Sequence, residues 1–181
     1  MKRKLKLKLK LKLKLKDIAL LSLLAALMCV GDFAMEWLPN VHFVGVLIVV
    51  TTVVYRKYAL LPIYVYVLIQ GLVGGFSPWW IAYLYIWAAL WGGIMLIPQK
   101  LPEKVKYILY VIVCALHGFL FGVLYAPTQA LFFGLDFKGM FAWIAAGLYF
   151  DMFHGMGNLA LGTLLIYPMI KILKYTDKYV K

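Results

Sequence analysis

Positive charge is sorted along this chain with a one-sidedness that a membrane bundle explains and a soluble fold does not. Of its 19 Lys and Arg residues, 18 fall on one side and only Lys138 on the other when the chain is cut at its apolar runs. Lys2 through Lys16, Arg56 and Lys57, Lys100, Lys104 and Lys106, and Lys171 through Lys181 are separated by five apolar stretches and a longer sixth. This is the positive-inside bias of a polytopic membrane protein. It predicts an all-α integral membrane fold of six transmembrane helices with both termini in the cytoplasm. Only 14% of the residues are charged and 65% are apolar, where soluble domains carry roughly 25% charge. A net charge of +12 placed beside apolar spans points to anionic lipid headgroups as partners, and away from nucleic acid. Cys29 and Cys114 both lie inside apolar runs, so no disulfide framework is implied.

Residues 1–16 form a basic, low-complexity tail in which Lys alternates with Leu, and 17–181 form the helical domain. The basic start before an apolar run has the outline of a signal peptide. No small-x-small site follows, and Asp32 and Glu36 come next, so the first span reads as retained. The expected spans are 17–37, 41–55, 58–74, 79–96, 107–125 and 140–171, with 127–139 as the longest outer loop. At 1.5 Å per residue the last span is roughly 45 Å long, against a hydrocarbon core of about 30 Å.

Ionisable groups inside such spans are expensive and mark sites by default. Asp151, His154 and Asn158 share one helical face and descend from the outer edge of the last span towards its middle. His117 falls near mid-membrane on span 5 and is a candidate floor of the same cavity. Span 4 carries Trp80, Tyr83 and Trp87 at helical spacing, which suits either core packing or a stacking wall for a flat ligand. Asp32, Asn40 and His42 are placed at the outer rim, where carboxylates favour a cationic or neutral ligand over an anionic one. Small residues recur at the spacing that lets membrane helices approach closely: Ala19, Ser22 and Ala26, Gly118 and Gly122, Ala142 and Ala146. No Gly-rich nucleotide loop with Lys is present, so any active transport must draw its energy from another subunit.

These features resemble the substrate-binding S component of energy-coupling factor (ECF) vitamin transporters, over roughly residues 17–175. The resemblance rests on Ser22-x-x-x-Ala26, on Leu38-Pro39-Asn40-Val41 and Ser77-Pro78-Trp79-Trp80, and on Phe150-Asp151-x-x-His154-Gly-x-Gly-Asn158. The last three pieces look most like the cobalamin-type branch. The resemblance implies a prokaryotic cell-membrane protein without enzymatic activity, metal or cofactor of its own. It implies a transmembrane coupling subunit and two ATPase subunits as partners, with Ala19, Ser22 and Ala26 as the docking surface. The cargo would be a vitamin-like molecule, cobalamin or a thiamine-like aromatic cation.

Three rival readings use the same residues. A rhomboid-type serine protease would use Gly75-Phe76-Ser77 with His154, but Pro78 removes an N–H useful for an oxyanion hole. A metal site would take His117, His154 and Asp151. A solitary transporter or channel would use the same intramembrane polar groups without partners.

Overall fold

The computed structural model describes residues 15–38 and 41–179. Among these residues it is all-helical, with seven α-helices: α1 Leu15–Ala34, α2 Val44–Tyr55, α3 Leu60–Gly74, α4 Pro78–Met95, α5 Glu103–Phe119, α6 Phe121–Phe133 and α7 Phe137–Tyr179. Most of the Lys/Leu tail lies outside the described residues. Four segments are long and apolar enough to cross a membrane: Leu15–Ala34, Val44–Gly74, Glu103–Phe133 and Phe137–Lys178. The expected count of six is therefore met only in part, for a physical reason. α2 has 12 residues and α3 has 15, roughly 18 and 22 Å at helical rise and each shorter than a core of about 30 Å, so they count together as one long segment, and the 18-residue α4 is not among the four.

A 3-10 turn at Arg56–Ala59 joins α2 to α3. Arg56 has φ 52°, a left-handed backbone that is uncommon outside glycine. Its side chain donates to the Met95 carbonyl at 3.2 Å, and its own carbonyl accepts from Trp91 Nε1 at 3.1 Å. The corner is thus clamped to the end of α4. Beyond it the chain returns, so that Tyr66 on α3 and His42 before α2 both meet Trp87, at ring distances of 6.2 and 5.9 Å.

α2 is the central rod. Ten of its 12 residues are buried, including the unbroken run Val44–Thr52, and a helix apolar all round belongs in a core. α1, α4, α5 and α7 pack against it.

α7 lies along α5 and α6, and small residues set the distance. A Cβ on Gly118 would stand 2.8 Å from the Gly155 backbone, so the two helices cross nearly backbone to backbone. Gly122, one turn on, faces the Asp151 carboxylate. The Gly118/Gly122 pair is a helix seat, as its spacing suggests. Ala142 and Ala146 are exposed on α7.

The region expected as an outer loop, 127–139, is mostly helix. α6 runs through Pro127 to Phe133, and the connection is reduced to 134–136. Pro127 lies in the second turn of α6, where its missing N–H would have bonded the carbonyl four residues back in a short helix already broken at Leu120 (φ −103°, ψ 9°). Gly134 closes α6 in the left-handed conformation (φ 64°), the usual C-terminal cap.

The basic segments converge on one end of the bundle. Lys16 pairs with Asp177 at 3.6 Å, Arg56 reaches Met95, and Lys106 donates to the Gln99 carbonyl at 3.4 Å. Asp32, Glu36 and His42 collect at the opposite end.

Candidate functional site

At that opposite end a cavity of about 200 Å³ opens between the end of α1, the segment leading into α2, and helices α4, α6 and α7. Asp32 and Glu36 stand at its rim, and His42, Tyr83, Phe121 and His154 form its wall.

Asp32 sits in the last turn of α1. Its carboxylate accepts hydrogen bonds from the Tyr66 hydroxyl at 3.0 Å and from the Gln70 amide, both on α3. Tyr66 and Gln70 are one helical turn apart and also bond each other at 3.2 Å. They aim the carboxylate and tie α1 to α3. Sequence reasoning missed both, although a Gln within an apolar run was a visible signal.

His154 is 2% exposed and is packed by rings. Its centroid lies 4.7 Å from His42, 4.8 Å from Phe121 and 6.3 Å from His117. Trp87 is wholly buried behind this layer, 5.5 Å from both Tyr83 and His117. His117 donates its Nε2–H to the Ile86 carbonyl, 3.0 Å away, and does not line the cavity. Four ring nitrogens in this cluster are buried with no hydrogen-bond partner among the described residues: His42 Nδ1, His117 Nδ1, His154 Nε2 and Trp87 Nε1. Buried polar atoms are nearly always paired, and leaving one unpaired costs about 1–3 kcal/mol. Two of the four belong to His42 and His154, which line the cavity, and these imidazoles are poised to hydrogen-bond a ligand there.

The predicted polar stripe on α7 exists, but its members divide the work. Asp151 accepts the Gly122 N–H at both carboxylate oxygens, at 3.0 and 3.1 Å, and pins α7 to the start of α6. Asn158 donates to the Cys114 carbonyl at 3.1 Å and is 1% exposed. A Cβ on Gly45 or Gly118 would press on its amide at 3.2 or 2.9 Å, so it fills the junction of α2, α5 and α7. Of the three, only His154 reaches the cavity wall.

Trp80 also stands apart. Its Nε1 donates to the Val67 carbonyl at 2.8 Å, and Phe76 lies edge-on at 4.9 Å, which locks α4 to α3. Asn40 lies outside the described residues. Ala19, Ser22 and Ala26 are all exposed on one face of α1.

Two of the rival arrangements are not assembled among the described residues. Among the described residues, no group of three His, Cys, Asp or Glu side chains is disposed to hold a metal ion, and Asp151 has both oxygens engaged by Gly122. Ser77 begins α4, where its carbonyl accepts the Trp80 N–H at 2.9 Å, and it does not line the cavity that His154 lines. No family model, curated protein or solved structure matches this chain.

Proposed function

We propose that this chain is the substrate-binding membrane subunit of an uptake system of the ECF type, in the cell membrane of a prokaryote. In this reading the polypeptide makes six passes with both termini inside, α5 and α6 together forming one pass. The basic end faces the cytoplasm and the cavity faces out. The observation that carries it is the cavity itself: carboxylates at its rim, orphaned imidazole nitrogens on its wall, aromatic rings behind them, and apolar helices around it.

The cavity also speaks to the cargo. Its volume of about 200 Å³ lies below the roughly 300–1,000 Å³ of pockets for drug-sized ligands. A small ligand with hydrogen-bonding edges and a neutral or cationic ring suits it; a corrinoid demands a much wider opening. A thiamine-like molecule fits the chemistry better than cobalamin. Energy for uptake comes from a coupling subunit with two ATPases, met by the exposed face carrying Ala19, Ser22 and Ala26.

Mass spectrometry of small molecules released from the gently solubilised protein tests the reading, followed by binding of the identified compound to His154→Ala and Tyr83→Ala. Both variants are expected to lose at least tenfold in affinity while keeping their helical circular dichroism. Full affinity in both variants would place the site elsewhere. Uptake that persists in cells devoid of any coupling ATPase would replace the S component with a solitary transporter.

A further inference from the structure

The basic end of the bundle holds a second cavity, of about 170 Å³, between the first turns of α5 and the last turns of α7. Lys106, Lys171 and Lys174 surround it, with Glu103 as the single opposing charge. Two tyrosines build its membrane side. Tyr107 and Tyr167 lie 5.6 Å apart, ring to ring, and Lys171 Nζ sits 4.4 Å over the Tyr167 ring. Tyrosines at such a level are interfacial anchors, and a lysine held on an aromatic face is aimed rather than free.

Directly above, towards the middle of the membrane, an apolar furrow runs along α7 from Thr163 and Leu164 to Met156. The two features meet at Thr163, whose carbonyl accepts the Tyr107 hydroxyl. Leu164 is 69% exposed and Met156 is 58% exposed. A three-lysine cavity at the interface, continued by an exposed apolar furrow, has the two-part shape of a phospholipid: phosphate below, acyl chain above.

We propose that this cavity binds the phosphate of an anionic phospholipid headgroup, with one acyl chain laid in the α7 furrow. Basic pockets between transmembrane helices at a membrane surface recognise anionic lipid in this manner. The furrow decides between the two sources of a phosphate group, because a free phosphate has no use for it. The α7 residues of the lysine cavity, Tyr167 to Lys174, lie 13 to 20 residues along the helix from His154 (167 − 154 and 174 − 154), and the site does not depend on what the His154 cavity carries.

The test is native mass spectrometry of the intact protein from nanodiscs of phosphatidylcholine doped with phosphatidylglycerol. Wild type should retain phosphatidylglycerol selectively. Lys106→Gln/Lys171→Gln/Lys174→Gln should reduce the adduct at least fivefold. The charge-matched control Lys57→Gln/Lys100→Gln/Lys104→Gln, which touches no lysine of the cavity, should leave it near wild type. Leu164→Lys should weaken the adduct by placing charge in the furrow. Equal loss in the two triple variants would overturn the site in favour of diffuse charge attraction. Displacement of the lipid by millimolar inorganic phosphate, with Leu164→Lys unchanged, would overturn the lipid assignment and leave a soluble phosphate compound as occupant.

Discussion

At the scale of single residues, the polar groups of α7 show how proximity in sequence conceals difference in role. Asp151, His154 and Asn158 share a face, yet Asp151 and Asn158 hold helices together and His154 faces the cavity. Asp151→Asn should therefore lower stability, by about 1–3 kcal/mol for a charge-assisted bond to a buried N–H. A thermal unfolding series in detergent checks this; ligand affinity in the surviving folded fraction should stay within about threefold of wild type. Gly122→Ala should behave similarly, because its new methyl group would press on the Asp151 carboxylate and the cost of such overpacking is about 1–3 kcal/mol. Tyr66→Phe and Gln70→Leu remove the two donors that aim Asp32. The expected outcome is weaker binding of a cationic ligand through a freed carboxylate, read as a larger loss for cations than for a neutral analogue.

At the scale of elements, much of the helix pattern was legible from hydropathy and charge alone. The observed ranges of α1, α3 and α4 lie within a few residues of those expected, because lysine clusters and the Gly75–Pro78 turn punctuate them. α6 was not legible. A proline seven residues into a helix reads as a breaker in sequence, and only the packing of α6 on α7 and α4 shows that the helix survives it. The Tyr85 hydroxyl contributes, bonding the Leu124 carbonyl and Thr128 Oγ1 at 2.8 Å each. Tyr85→Phe should thus loosen α6 without touching the cavity, seen as faster amide exchange over 121–133 while α5 stays protected. The pairing of Asp32 with Tyr66 and Gln70 was equally hidden, since it joins positions 34 and 38 residues apart and no local pattern encodes which helices become neighbours.

At the scale of the whole molecule, the charge sorting seen in the sequence reappears as geometry. Lysines and Arg56 ring one end, and the carboxylates Asp32 and Glu36 stand at the other. Single-cysteine variants would fix the orientation of that axis. With Cys29 and Cys114 buried, background labelling is low. A cysteine at Glu36 should react with an impermeant maleimide in intact cells, and one at Lys104 only after permeabilisation. The reverse result would turn the bundle over and put the His154 cavity on the cytoplasmic side.

The enclosure of α2 bears on how such a chain is made. The helices that finally surround it, α4, α5 and α7, are all synthesised after it, so for much of its early life the rod has only α1 and lipid for company. Its side chains permit the wait: the run Val44–Val50 is apolar apart from Gly45, and the Thr52 hydroxyl bonds the Ile48 carbonyl of its own helix. A rod that is content in lipid before it is content in protein can be delivered to the membrane early and claimed later, when α7 arrives with Asn158 to close the junction around Gly45.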